Sequence, residues 1–318
     1  MLGYMKPRIL ITRKLIPEKL QPLYDRYDVD IWESADVAMP RNQLLERVQG
    51  VSGILCMLTD KIDAELLDAA GDQLRIVSTM SVGYDHIDAE ELKKRGIELG
   101  TTPGVLDDAV ADLAIALMLN VSRRIPEAIK AAKDGEWGTW APYWLTGQDL
   151  SHSTVGIIGM GAIGAAVTRR LKGFGCTVLY AGRSQKPELE HELGIQYVSQ
   201  DELLARSDFV SVHTALTPDT AEMCNAEFFA KMKSTAVFIN TGRGGLVDQN
   251  ALYDVLSQNL IFGAGLDVTT PEPLPVDHPL FTLENCVILP HIASASIRTR
   301  DAMTDLAVEN LLHGLSEQ

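Results

Sequence analysis

The chain has 318 residues, enough for two domains, and 46% of them are hydrophobic with few aromatics, the balance of a globular protein. Acidic residues outnumber basic ones 43 to 28, and the formal charge of −15 argues against nucleic acid or an anionic membrane as a partner. A small anionic substrate is compatible with that balance, because local cations make its site. The four cysteines (Cys56, Cys176, Cys224, Cys286) form no C-x-x-C pair. Cys56, Cys176 and Cys286 lie in apolar runs and are expected to be reduced core residues, whereas the surroundings of Cys224 do not decide. The start, Met-Leu-Gly-Tyr-Met-Lys-Pro, has no apolar leader core, and no run approaches a membrane span. The expectation is a cytoplasmic protein without a membrane partner.

The first hundred residues alternate short apolar runs with helical patterns. Strands are expected at Arg8–Thr12, Asp28–Trp32, Gly53–Met57, Arg75–Met80 and Gly96–Leu99, and helices at Pro17–Tyr27, Pro40–Val48, Ala64–Ala70 and Ala89–Arg95. Such alternation implies a parallel, doubly wound sheet. Thr101-Thr102-Pro103-Gly104 is a turn-rich joint. The Ala-rich helix Asp107–Asn120 is apolar on most faces, which asks for burial either in its own domain or at a subunit interface. Residues 136–147 then crowd Trp137, Trp140, Tyr143 and Trp144 into one stretch. That cluster suits either an interface or a local hydrophobic staple. Alternation restarts with strands at Thr154–Ile158, Thr177–Ala181, Phe209–His213, Ala236–Asn240, Ala264–Val268 and Val287–Leu289, and a last helix covers about Arg298–Leu312.

The most informative stretch joins the first two strands of this second set. Thr154–Ile158 runs into Gly159-Met-Gly161-Ala162-Ile163-Gly164, and a helix is expected over Ala165–Lys172. In such a turn Gly159 permits the bend, Gly161 lets the backbone approach a pyrophosphate, and Gly164 lets helix and strand pack closely. The helix start offers N–H groups and a partial positive charge to phosphates. An NAD site places an acid at the end of the next strand, where it bonds the ribose 2′-hydroxyl. This chain has Gly182-Arg183-Ser184-Gln185-Lys186 there. A guanidinium and a hydroxyl suit a 2′-phosphate, so NADP(H) is the preferred cofactor, with NAD(H) also accepted. The bland alternative is that Arg183 and Lys186 are solvated loop charges.

Three later strands end in polar residues, and ligands of open α/β sheets sit outside the carboxyl ends of strands. Asn240-Thr241-Gly242-Arg243-Gly244 sets an arginine between glycines, either a fork for a substrate carboxylate or a surface side chain. Gly265-Leu266-Asp267 is followed by Pro271-Glu272-Pro273, and Leu289-Pro290-His291 ends the last strand. A histidine and a glutamate on neighbouring strand ends, beside a nicotinamide site, form a general acid/base pair, with the glutamate favouring the imidazolium. No further His or Cys is spaced to complete a metal site.

With these motifs together, the run from Thr154 through His291 resembles the D-isomer-specific 2-hydroxyacid dehydrogenases, and within them the glyoxylate/hydroxypyruvate reductases. The likeness extends over essentially the whole chain, including Met80-Ser-Val-Gly-Tyr-Asp85, Trp140-Ala-Pro-Tyr-Trp144 and Pro271-Glu-Pro-Leu-Pro275. It implies an α/β protein of two doubly wound parallel-sheet domains. A Rossmann cofactor domain, residues 102–291, would be inserted in a flavodoxin-like substrate domain, residues 1–101 and 292–318. The crossings near Thr101–Pro103 and Pro290–Ile292 would be a hinge.

The resemblance also implies roles. Arg243 would hold the substrate carboxylate and polarise the 2-oxo group, His291 would donate the proton, and Glu272 would be its partner. Asp267 would orient the site near substrate and nicotinamide. Backbone N–H groups of Val82 and Gly83 would take the carboxylate, with Ser294 and Leu58 at the substrate pocket. Trp140 would reach the partner's site in a homodimer. Gly159, Gly161, Ala162, Ile163 and Gly164 would meet the pyrophosphate, Arg183 and Ser184 the 2′-phosphate, and Thr241 the nicotinamide side. One departure is Ala215, where similar reductases carry a hydroxyl near the cofactor. The implied reaction is NADPH-dependent reduction of glyoxylate or hydroxypyruvate to glycolate or D-glycerate. The alternatives are another 2-oxo acid of the family (phosphoglycerate- or D-lactate-type) or a non-catalytic cofactor-sensing binding protein. The absence of a C-terminal regulatory extension weighs against the larger phosphoglycerate enzymes.

Overall fold

The computed structural model describes residues 6–316. The reading of the chain's first residues therefore lies outside the described part. The chain splits into two compact units, Met1–Leu106 with Ser296–Gln318, and Asp107–Ala295. These boundaries fall a few residues beyond those expected from the sequence at both crossings.

The first unit holds β1 (Arg8–Ile11), β2 (Asp28–Ile31), β3 (Gly53–Cys56), β4 (Ile76–Thr79) and β5 (Glu98–Gly100) in one parallel sheet of order β2-β1-β3-β4-β5. Ile9–Ile11, Gly53–Cys56 and Ile76–Thr79 are buried along their length, as strands covered on both faces must be. Helices Pro17–Tyr24, Arg41–Arg47, Ala64–Ala70 and Ala89–Lys94 connect them. The chain returns at its end as helix Ile297–Ser316, which packs on β3, β4 and β5. Caps stop and start these helices where the sequence asks: the Asp63 carboxylate accepts from the Leu66 N–H at 3.2 Å and Asp88 from Glu91 at 2.9 Å.

The second unit holds β6 (Thr154–Ile158), β7 (Thr177–Ala181), β8 (Gln196–Tyr197), β9 (Phe209–Val212), β10 (Val237–Asn240), β11 (Gly263–Leu266) and β12 (Cys286–Ile288). The sheet is parallel, with order β12-β11-β10-β9-β6-β7-β8. Seven strands replace the expected six. The extra one, β8, is a two-residue exposed edge without an apolar run to announce it. Helix Asp107–Ser122 buries Val110, Ala114, Leu117, Met118 and Val121 and packs on β10–β12 and on helix Ala162–Leu171, so its apolar face is spent inside its own unit. Trp137, Trp140 and Tyr143 are 71%, 82% and 85% exposed, so the aromatic stretch is no local staple.

The cysteines are free, as expected, but differ in depth. Cys56 and Cys224 are buried, whereas Cys176 and Cys286 are only half-buried; all four are free thiols. Cys224 is drawn inside by a bridge to Val247, a long-range pairing that its polar sequence neighbours do not advertise. Among the described residues, no helix is long and apolar enough to cross a membrane.

Candidate active site

The turn after β6 is built by steric exclusion. Gly159 has φ +95°, and a Cβ there would stand 2.7 Å from the carbonyl of His213. A Cβ on Gly164 would stand 2.3 Å from the Gly159 oxygen, so helix and turn close on each other only through glycine. The helix begins at Ala162, three residues earlier than expected, with Gly161 as its extended N-cap and no side chain capping it. Ala162, Ile163 and Gly164 thus form the first turn, whose N–H groups have no acceptor within the helix. Open space lies where a Cβ of Gly161 would be. A diphosphate fits this cradle: its oxygens take the place of the missing cap, on the positive end of the helix.

The loop after β7 carries Arg183 and Ser184, both exposed. The nearest downstream carboxylate that reaches this loop is Glu190, and it is already held. Tyr180 Oη donates to it at 2.6 Å and Gln185 Nε2 at 3.0 Å, while the Lys186 N–H donates to Tyr180 Oη at 2.6 Å. Ala215, in the loop after β9, is exposed and brings no hydroxyl.

The loop after β10 is clamped by Asn240, which is fully buried. Its Nδ2 donates to the Arg243 carbonyl and its Oδ1 accepts from the Gly242 N–H, both at 2.9 Å. This holds Arg243, half-buried and extended in backbone, at the carboxyl end of the strand. Thr241 is 7% exposed and its hydroxyl has no partner among the described residues, an orphaned polar atom that a cofactor amide or a bound substrate would satisfy.

The loops after β11 and β12 meet. The His291 Nδ1–H donates to Glu272 Oε2 at 2.8 Å, and Glu272 Oε1 accepts from the Thr269 N–H at 3.1 Å. Both side chains are partly open, at 24% and 32% exposure, so the far ring nitrogen of His291 is reachable by a ligand. Burial pushes the Glu272 carboxyl up, but the His291 ring, the Thr269 N–H and the Arg243 charge outweigh it and hold the group below the ordinary range.

Asp267 does a different immediate job from the substrate or cofactor contact expected of it. It is fully buried, and its two oxygens accept from the Ile292 and Ala293 N–H groups at 2.8 Å each, while its own carbonyl accepts from the His291 N–H at 2.9 Å. These three bonds hold His291 in a left-handed conformation, φ 54°. Burial pushes the Asp267 carboxyl above its usual range, in spite of the two N–H donors. Ser294 follows, half-buried, on the same loop.

Arg243, Glu272, Asp267 and His291 are therefore gathered on three neighbouring strand ends of one unit. Val82 and Gly83, half-buried, follow β4 in the other unit, where Ser81 Oγ donates to the Gly83 carbonyl at 2.8 Å and shapes that turn. Leu58, also half-buried, follows β3. Trp140 stands almost wholly in solvent in the single chain. Reading the sequence missed Asn240 as a clamp, although an asparagine ending an apolar strand before a glycine was a visible signal. It also missed the two bonds from the Gln249 amide to the Thr270 backbone, which have no local signal.

A glycine-lined diphosphate cradle, a sheet reversing its order between β6 and β9, and an arginine with an acid–imidazole pair at the same strand ends define a nicotinamide-dependent dehydrogenase of the doubly wound class. A family model described as "D-isomer specific 2-hydroxyacid dehydrogenase, NAD binding domain" matches residues 115–293. The glyoxylate reductase/hydroxypyruvate reductase of Mus musculus is 51% identical over 98% of this chain and 97% of its own. The glyoxylate reductase of Korarchaeum cryptofilum is 46% identical over 97% of this chain and 92% of its own. Among solved structures, the NADPH-dependent glyoxylate/hydroxypyruvate reductase of Sinorhizobium meliloti, in complex with NADP and malonate, superposes with a TM-score of 0.83 at 36% identity, covering 98% of this chain and 94% of that one. The chain belongs to the D-isomer-specific 2-hydroxyacid dehydrogenases.

Proposed function

We propose that the protein reduces glyoxylate and hydroxypyruvate to glycolate and D-glycerate, prefers NADPH, and works as a cytoplasmic homodimer. The observation that carries the chemistry is the 2.8 Å bond from His291 Nδ1 to Glu272 beside the Arg243 loop. The identity to reductases named for these two substrates carries the choice of 2-oxo acid. A bound nicotinamide would supply the hydride; binding, orientation and proton donation fall to the protein's own side chains and backbone.

In this reading Arg243 grips the substrate carboxylate with two parallel N–H bonds and draws charge from the 2-oxo group. The N–H groups of Val82 and Gly83 also take the carboxylate. His291, protonated, donates through its free ring nitrogen to the carbonyl oxygen as negative charge grows there. Glu272 stabilises the cationic ring before transfer and fixes its orientation. Gly159, Gly161, Ala162, Ile163 and Gly164 cradle the diphosphate, Thr241 lies on the nicotinamide side, and Leu58 and Ser294 shape the substrate pocket. The exposed Arg183 and Ser184, standing where an NAD site would place an acid, support NADPH, and the exposed Trp140, Trp137 and Tyr143 support a subunit interface at which Trp140 meets the partner's site.

The test is loss of absorbance at 340 nm with a panel of glyoxylate, hydroxypyruvate, pyruvate, a phosphorylated 2-oxo acid and a branched 2-oxo acid, each with NADPH and with NADH. Highest kcat/KM for glyoxylate and hydroxypyruvate with NADPH supports the reading. Preference for another acid, or no turnover with any, overturns it.

A further inference from the structure

The catalytic glutamate stands on a turn that has almost no structure of its own, because it lies beyond the end of β11 and runs outward as Thr269-Thr270-Pro271-Glu272-Pro273. Inside the turn, Thr269 Oγ1 donates to the Pro271 carbonyl at 2.9 Å and the Thr269 N–H to Glu272 itself. These bonds shape the turn but do not tie it to anything outside. The tie comes from Gln249, the first residue of helix Gln249–Ser257, which directly follows the Arg243 loop. Its Nε2 donates to the Thr270 carbonyl and its Oε1 accepts from the Thr270 N–H at 2.8 Å. One amide thus engages both polar groups of one residue, as a neighbouring strand would. The helix is itself anchored: Asp248 caps it through the Asn250 and Ala251 N–H groups at 3.0 and 3.1 Å. The Arg243 loop also presses on the turn, since a Cβ on Gly244 would lie 1.9 Å from the Thr269 oxygen.

We propose that Gln249 is a positioning residue for proton donation: by pinning Thr270 it fixes the turn that holds Glu272 against His291, and it sets that pair in register with Arg243. The inference rests on the reading of Glu272 and His291 as the proton-donating pair. Within this unit the charges that act on the pair are Asp267, behind the His291 loop, and Arg243, beside Glu272. Gln249 carries no charge and touches none of these groups, so its effect on the reaction passes through geometry alone. Thr270 is exposed, so water replaces both lost bonds when the amide is removed, and the fold loses little.

The experiment compares Gln249→Met, which keeps the length and removes both bonds, with wild type, Glu272→Gln and the double variant. Reduction needs a protonated His291, so the rate falls as pH rises, and a loosened Glu272 brings that fall to lower pH. For Gln249→Met, kcat drops by about fivefold to thirtyfold, the worth of two ordinary hydrogen bonds. The falling limb of the pH profile moves to lower pH, by less than Glu272→Gln moves it, because the charge partner is loosened rather than lost. The KM for the nicotinamide cofactor stays within twofold, and the melting temperature stays within a few degrees. In the Glu272→Gln background the second substitution moves the limb no further, because both act through one contact. If Gln249→Met leaves the limb in place while Glu272→Gln moves it, Gln249 is a structural tie only and the proposal falls alone. If Glu272→Gln also leaves it in place, the acid pair itself is wrong and both ideas fall.

Discussion

Asp267→Asn is the substitution whose effect follows most directly from the geometry. The carboxylate is fully buried and each oxygen accepts one backbone N–H, from Ile292 and Ala293, at 2.8 Å. A carboxamide keeps one acceptor and turns the other atom into a donor, so at one of the two positions an N–H faces an NH₂. A hydrogen bond to a charged group contributes about 1.5–3 kcal/mol, and a buried donor left without a partner costs about 1–3 kcal/mol more. The loop therefore loses roughly 3 kcal/mol or more of anchorage. Against this stands the left-handed backbone of His291, φ 54°, which an L-residue adopts at a cost of about 1–2 kcal/mol. Once the anchorage is gone, the loop relaxes away from that conformation and the ring leaves its reactive position. If 3 kcal/mol appears in the barrier, kcat falls by about two orders of magnitude, at about 1.4 kcal/mol per decade. The assay is glyoxylate reduction followed at 340 nm at saturating cofactor, with NADPH affinity measured separately by fluorescence titration. The expected result is a large loss in kcat with affinity nearly intact, because the cradle at Gly159–Gly164 lies on a different strand. A kcat within threefold of wild type would refute the claim that Asp267 holds the histidine loop in its working shape.

Four further outcomes follow from the same geometry. His291→Gln loses about 10²–10⁴-fold in kcat, the usual worth of a general acid, with cofactor affinity unchanged; normal turnover removes His291 from the reaction. Glu272→Gln shifts the decline of reduction with rising pH to lower pH. The carboxyl is held below its ordinary range partly by the His291 ring, and that 2.8 Å contact with a charged partner is what the variant deletes; a pH–rate profile identical to wild type contradicts the pairing. Arg183→Ala raises the KM for NADPH at least tenfold more than that for NADH, and equal changes rule Arg183 out as a phosphate ligand. Asp63→Asn tests the fold: burial pushes this carboxyl up, but Arg41, Lys61 and the Leu66 N–H bring it down to about 2. A depressed carboxyl gives stability that is full above its unfolded value near 4 and vanishes as pH falls through about 2. Asparagine retains the helix cap, so the variant should be less stable by about 1 kcal/mol at pH 7, the ion pairs being partly solvated, and should match wild type near pH 2 in calorimetric melts.

What was legible in the sequence was whatever is local. β6 and β7 end where their apolar runs end, and the glycine spacing between them admits one turn because a side chain at 159 or 164 would collide with backbone. Arg243 and His291 were visible as polar residues interrupting apolar strands. What could not be read was any role set by a partner distant along the chain. Asp267 showed itself as an acid at a strand end, but its bonds to Ile292 and Ala293 span 25 and 26 residues, so its part in anchoring the His291 loop had no local signal. Gln249 reads as an ordinary helix opening until Thr270, 21 residues on, is placed beside it. The helix Asp107–Ser122 had an apolar surface that composition could not assign; packing on β10–β12 assigns it. The Trp137–Trp144 stretch had the same ambiguity and resolves oppositely, into solvent.

The order of the sheet explains why these parts work together. β10, β11 and β12 are neighbours, paired in register through Asn240–Leu266 and Leu266–Ile288, and parallel strands lie about 4.8 Å apart. Arg243, Glu272 and His291 therefore leave the sheet from three adjacent points, close enough together to act on the carboxylate and 2-oxo group that every 2-oxo acid shares. The cradle leaves from β6, on the far side of β9, where the strand order reverses and the loops splay apart to admit a long ligand. β10 and β11 are buried along their length and β12 is half-buried, and the bonds from Asn240, Asp267 and Gln249 tie down the loops that leave them. This machinery recognises a carboxylate and an adjacent carbonyl and nothing further along the substrate. Discrimination between one 2-oxo acid and another must then be made by residues that touch the remaining substituent.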